Sequence, residues 1–425
     1  MDANEVPRRG GNVKGFPPGL DRRMRRWQEQ RWILDAVIRT VGVEWDQARI
    51  AYTLGPCGPS ATADFMGVRQ RVQKFSDISR EFERAATRRR LHAEQAMRDD
   101  RPVAARESYF IAALLYGSAQ WPLFSHSEEN TRLDDAKIAC YQAYARLADH
   151  PVERVEIPFG AAHLPGWLHL PSEGSGPYPV VLAIDGMDGF KEMMVALYGD
   201  ALLTRGVAVL AIDGPGQGEA LTHGIYVTPD NFREAGRQAV RYLRQHPKLD
   251  PARIAVSGVS FGSYFATLVG AAVPDLKGVA VAYVCHEPAG ETIFQSASPT
   301  FKLRFMYMAG MEDEEAFDAF RMGFTLKDVG REVNAPYLCI AGEDDDLSPI
   351  DHTYALLDEI PGPKELLLYE GERHGLHTTT SSALGPSDRE WMAEWLTDRL
   401  VTGRPAPSRL AYVDLAGRVT DKPWS

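Results

Sequence analysis

The chain has 425 residues, 44% of them hydrophobic and 25% charged, and a formal net charge of -11, an ordinary composition for a globular protein with a large core and an accessory domain. The acidic balance excludes a nucleic-acid surface, which needs a basic stripe; arginine-rich stretches at 22–26 and 88–90 read as solvated helix faces. No apolar run of about 18 residues occurs and residues 1–8 lack an apolar signal region, so no membrane association is expected and the expected location is cytoplasmic.

Residues 1–20, rich in Gly, Pro and Arg without periodicity, predict a poorly ordered tail or arm. From 21 to 150 the pattern is helical, with apolar residues three and four apart over 27–41, 65–86, 108–116 and 134–148, which predicts an all-helical domain. At Val152 the period becomes two, and residues 152–159 and 164–171 read as a β-hairpin at a sheet edge. Near-continuous apolar runs follow at 180–184, 207–212, 254–256, 279–284, 337–341 and 365–369, the signature of parallel strands buried on both faces. Helical patterns at 231–245, 261–272 and 389–400 separate most of them, giving an α/β fold with a mostly parallel, doubly wound sheet over 151–403. The stretch 286–334 exceeds a normal crossover and reads as a small insertion beside a substrate pocket. Residues 404–425 read as an extended C-terminal tail. The four cysteines, Cys57, Cys140, Cys285 and Cys339, fit neither a zinc pattern nor a disulfide framework and read as reduced thiols.

The run ending in Gly258-Val259-Ser260-Phe261-Gly262 reads as strand, sharp turn and helix with a serine at the apex. Such a turn strains the serine backbone and aims its hydroxyl out of the sheet as a nucleophile. A serine nucleophile needs a base, and the base needs a carboxylate to hold its tautomer. Asp345 follows one downstream strand and His374 the next, so the chain order is Ser260, Asp345, His374, the order this kind of sheet requires. Asp344 is the alternative acid, because Glu343, Asp344, Asp345 and Asp346 are contiguous; His377 is the alternative base, with a structural role as its other reading. Two N–H donors must meet the anion formed on the substrate carbonyl. Phe261, just after the serine, is one candidate; Met187, in the loop after 180–184, is the other, with Gly186 and Asp188 beside it expected to touch substrate. Asp213-Gly-Pro-Gly-Gln-Gly-Glu219 is not a dinucleotide fingerprint and reads as a tight turn below the site. No cofactor is implied, and no metal-ligand spacing appears.

With these motifs in hand, the region 152–403 resembles the α/β-hydrolase superfamily. Leu164-Pro-Gly-Trp-Leu-His-Leu-Pro171, Gly186-Met-Asp-Gly-Phe-Lys-Glu192 and the preceding helical domain are similar to the branch with 2,6-dihydroxypseudooxynicotine hydrolase, fungal polyketide-shortening pigment hydrolases and FrsA-like proteins. That resemblance implies that residues 21–150 form a lid over the active site. It also implies hydrolysis of a C–C bond next to a ketone in an aromatic or polyketide-like small molecule, begun by Ser260 or by a water activated by His374. His286 and Glu287 are candidates to orient a phenolic or keto substrate, the other reading being a polar loop start. Because the branch also contains esterases, a carboxylesterase, lactonase or acyltransferase stays open. A binding protein without catalysis is the reading from another class. A homodimer is the candidate assembly.

Overall fold

The computed structural model describes residues 25–290 and 292–424; the expected tail at 1–20 lies outside the described residues. Among the described residues, six α-helices come first: Arg25–Val41, Arg49–Cys57, Thr62–Arg71, Ile78–Arg98, Pro102–Gln120 and Glu128–Leu147. The continuous helix read over 65–86 is two helices. Asp77 accepts a hydrogen bond from the Gln73 N–H and Asp35 one from the Phe75 N–H, capturing the backbone that a helix would have used. No described helix is long and apolar enough to cross a membrane.

The rest is built on one ten-stranded sheet of order β1-β2-β4-β3-β5-β6-β7-β8-β9-β10. Strands β1 (Val152–Phe159) and β2 (Ala162–His169) form the edge hairpin, with β2 antiparallel to β4 (Ala208–Ile212). From there β4, β3 (Tyr178–Ile184), β5 (Leu249–Val259), β6 (Val279–Ala282), β7 (Tyr337–Gly342) and β8 (Lys364–Tyr369) run parallel. Their runs are apolar throughout because helices cover both faces. The region 404–425 is not a free tail. β9 (Arg409–Val413) adds to β8 in parallel and β10 (Val419–Pro423) closes the sheet antiparallel to it. After the proline-rich linker, Ala411 and Val413 alternate inward with zero exposure, a five-residue period too short to stand out from its flanks. β10 is exposed, polar and ends in Pro423, which blunts the edge against further pairing.

The chain leaves β3 toward β4 and returns past it to β5, so strand order reverses between β3 and β5. A crevice opens at the carboxyl ends of strands at such a point. Ile184 is paired with Gly258, which brings the loop after β3 against the turn after β5. The helical layer and the sheet share one apolar core, from Leu34 and Phe110 to Val281 and Leu368. Under that contact, Lys191, with no exposure, is surrounded by Asp213, Glu192 and Glu219, while Lys137 of the helical layer reaches Glu192 at 3.8 Å. Burial alone would lower the Lys191 ammonium, but Asp213, Glu192 and Glu219 outweigh it and keep it charged.

Candidate active site

Ser260 stands between the end of β5 and the helix Phe261–Ala272 with φ 53° and ψ -125°, a backbone conformation that non-glycine residues avoid. The two glycines of the motif are required by close approach. A Cβ on Gly258 would stand 2.5 Å from the Gly262 carbonyl carbon, and one on Gly262 would stand 2.5 Å from the Asp185 carbonyl oxygen. Strand, helix and the loop after β3 therefore meet at backbone distance only because those positions carry no side chain.

Ser260 Oγ lies 2.9 Å from His374 Nε2, and His374 Nδ1 lies 2.8 Å from Asp345 Oδ2. A carboxylate can only accept, so His374 Nδ1 carries the proton and Nε2 is left to accept from the serine hydroxyl. Asp345 Oδ1 accepts the N–H groups of Leu347 and Ser348, which fixes the carboxylate in the loop after β7. Asp345 is 4% and His374 7% exposed. The competing candidates are not part of this relay: Asp344 is exposed, and His377, although it lines the same cavity, is exposed and lies 3.6 Å from Asp388. The loop carrying His374 is held by the buried Glu372, whose carboxylate accepts from the Thr378 and Thr379 N–H groups and from three hydroxyls.

The loop after β3 faces the serine. A Cβ on Gly186 would lie 3.0 Å from Ser260 Cβ, and Gly186, Met187 and Asp188 all line the same cavity. Its underside is held by Gln217, which donates to the carbonyl oxygens of Asp185 at 2.5 Å and Gly186 at 3.1 Å. In a planar trans peptide the C=O and N–H point in opposite directions. Holding the Gly186 carbonyl from below therefore leaves the Met187 N–H on the other side of the loop. The turn at 213–219 thus sits beneath the site, as its sequence suggests. Phe261 opens its helix, where first-turn N–H groups have no intrahelical acceptor. Burial is the largest influence on Asp185 and pushes its carboxyl up to about 7, with Asp213 adding to it against the Gly186 N–H that favours the anion.

The cavity measures about 450 Å³ and its wall is shared by three parts of the chain. The sheet supplies Ser260, His374 and the 185–189 loop; the helical layer supplies Arg49, Tyr52 and Trp121; the insertion supplies Phe301. Asp188 lines it, yet its carboxylate is turned to Arg49 at 2.8 Å. His286 and Glu287 do not line the cavity, which corrects their reading as substrate ligands. His286 is buried against Thr353 and Tyr337, and burial pushes its imidazole down to about 3. Glu287 accepts from the Leu326 N–H and fastens the insertion. Both follow β6 in sequence, but the chain turns inward there. Arg49 and Tyr52 are not legible as site residues because they lie in no recognisable motif, while Gln217 lies in one that reads only as a turn. All four cysteines are buried free thiols, and burial pushes each of them up.

A family model described as "Esterase FrsA-like" matches residues 79–359, more than half of the chain. Esterase FrsA of Yersinia pestis (strain Pestoides F) is 25% identical over 325 residues, covering 72% of this chain and 74% of that protein. Esterase FrsA of Yersinia pseudotuberculosis serotype O:1b (strain IP 31758) matches with the same figures. The crystal structure of the 2,6-dihydroxy-pseudo-oxynicotine hydrolase superposes with a TM-score of 0.72 at 24% identity, over 84% of this chain and 97% of that one. Wild-type AbyA5 superposes with a TM-score of 0.60 at 16% identity, over 82% and 98%. At these identities the structural likeness speaks for the fold, which is that of the α/β-hydrolases.

Proposed function

The chain belongs to the FrsA-like esterase family and is an α/β-hydrolase enzyme, and from that premise we propose a serine hydrolase that cleaves a C–C bond beside a ketone in an aromatic or polyketide-like small molecule. The observation that carries this reading is the continuous Asp345–His374–Ser260 relay opening onto a 450 Å³ cavity whose wall is mostly apolar and aromatic, with charged side chains such as Arg49 and Asp188 among it. We assign Ser260 as nucleophile, His374 as general base and Asp345 as the group that holds its tautomer.

In this mechanism Ser260 Oγ adds to the ketone carbon while His374 Nε2 takes its proton. The resulting oxyanion accepts from the N–H groups of Phe261 and Met187, whose pull is strongest where charge has developed. The C–C bond then breaks, its electron pair leaves on a carbanion stabilised by a neighbouring carbonyl or phenol ring, and the carbanion takes the proton from His374 Nε2. Water, deprotonated by the same nitrogen, cleaves the acyl–serine and releases a carboxylic acid. The helices between Arg25 and Leu147 act as the lid of the catalytic domain, whose sheet runs from β1 to β10, since Arg49, Tyr52 and Trp121 close the cavity from above.

Ester hydrolysis by the same relay is the second reading, favoured by the description shared by the family model and the Yersinia relatives. A panel of β-diketones run against matched esters separates the two. Turnover of the diketones supports C–C hydrolysis, and turnover of esters alone replaces it with esterase activity. Absence of fluorophosphonate labelling at Ser260 in the folded protein would remove the serine mechanism from both.

A further inference from the structure

Nothing regular fixes the 185–189 loop: it belongs to neither a strand nor a helix. Gln217 holds it from below, as described. From above it is held by two arginines that come from outside the sheet. Arg49, at the start of the helix Arg49–Cys57, donates from Nη1 to Asp188 Oδ2 at 2.8 Å. The same guanidinium is itself immobilised, with Nε and Nη2 donating to Asp46 at 3.2 and 2.9 Å and its Cζ 3.8 Å from the Trp121 ring centre. Arg304, in the insertion, donates from Nε to the Met187 carbonyl at 3.3 Å and lies 3.7 Å from Asp188 Oδ1. The side chains of Arg49, Asp46, Asp188 and Arg304 are 10%, 2%, 17% and 8% exposed, so these pairs are shielded from water and hold their geometry.

We propose that Arg49 is a positioning residue for the oxyanion donor. By gripping Asp188 it fixes the peptide beside Met187, so the helical layer completes the oxyanion site as well as covering it. This rests on the serine-hydrolase reading above. The oxyanion exists only during reaction, and an interaction that orients its donor acts on the chemical step rather than on ground-state binding. A displacement of about 1 Å at a reacting centre is enough to cost on the order of 100-fold.

The test is saturation kinetics of Ser260 with a fluorophosphonate probe on the full chain, for Arg49→Met, Arg49→Lys, Asp188→Asn and the Arg49→Met/Asp188→Asn pair. Arg132→Ala, which removes an exposed pair with Glu83 within the helical layer, is the control and keeps the wild-type rate. The expected result is a limiting phosphonylation rate about 10- to 100-fold lower in Arg49→Met and Asp188→Asn, with the half-saturating concentration within about 3-fold. Arg49→Lys, which keeps the charge, recovers part of the loss, and the double variant is no slower than the slower single. Should Arg49→Met fail to fold, Asp188→Asn and Arg49→Lys carry the decision. An unchanged limiting rate with a lowered melting temperature overturns the proposal, as does a loss confined to half-saturation. Failure of the wild-type protein to label at Ser260 instead overturns the serine-hydrolase reading, and this inference falls with it.

Discussion

Asp345 and His374 are joined through Oδ2 and Nδ1 at 2.8 Å, while the other oxygen of Asp345 is already held by two backbone N–H groups. The carboxylate therefore cannot turn away, and its neighbour Asp344 is exposed. Replacing Asp345 by Asn keeps the shape but lets the amide stabilise the wrong imidazole tautomer. Asp345→Asn is expected to lower turnover by about 10⁴-fold, with folding retained. Asp344→Asn is expected to stay within about 2-fold of wild type, as surface substitutions usually do. Steady-state kinetics of the two variants on one substrate checks this; equal losses would reassign the acid.

Glu372 lies two residues before His374 and binds the following turn through Thr378, Thr379 and Ser382. Burial would raise its carboxyl, but hydrogen bonds from Ser382 and Thr378 prevail and hold it down at about 2. Because its folded value lies below the ordinary one near 4.5, the stability it contributes is present above that pH and is lost as pH falls toward 2. Glu372→Gln should therefore cost about 2 kcal/mol at pH 7, the scale of charge-assisted hydrogen bonds to a buried group. The gap from wild type should narrow between pH 4.5 and 2. Melting curves across that window test it, and a gap independent of pH would show that the charge of Glu372 is irrelevant.

Asp185 carries the opposite sign. Burial, its dominant influence, holds the carboxyl at about 7, above the ordinary value of 3.8. The fold therefore favours the protonated form, and the associated stability is complete below about pH 4 and lost as pH rises through 7. Asp185→Asn cannot ionise and keeps an oxygen for the Gly186 N–H that Asp185 now binds at 2.6 Å. It should melt above wild type at pH 8 by at most about 4 kcal/mol of stabilisation, with the advantage fading toward pH 4. Parallel melting profiles for the two proteins would mean that Asp185 does not titrate in this range.

Much of this arrangement is readable from sequence where one short segment does one job. The serine turn, the order Ser260, Asp345, His374 and the loop at 185–189 each follow a buried strand, so local pattern locates them. Arg49 and Tyr52 are different. They sit on an ordinary amphipathic helix, and only tertiary packing brings them more than a hundred positions along the chain to Asp188 and Gly375. His286 and Glu287 err in the other direction: their place after β6 suits a site residue, but the insertion folds back and buries His286 away from the cavity. β9 was hidden by its short length behind a proline-rich linker, although its pairing to β8 extends the sheet.

The contact between Tyr52 and Gly375 tests whether the helical layer is seated on the relay itself. A Cβ on Gly375 would stand 2.6 Å from the Tyr52 hydroxyl oxygen, well inside contact distance. Gly375→Ala must therefore displace the Tyr52 ring, and through it the helix Arg49–Cys57, or else the loop that carries His374. Overpacking of this kind costs about 1–3 kcal/mol, and a displaced imidazole would slow phosphonylation of Ser260 by about 10-fold or more. The oxygen is the atom in the way, so Tyr52→Phe in the same protein should restore most of both losses relative to Tyr52→Phe alone. Melting temperature and labelling rate measured on the four proteins decide it. If Gly375→Ala is equally impaired with Phe at position 52, the helical layer does not press on His374, and the wall above the relay is looser than the distances indicate.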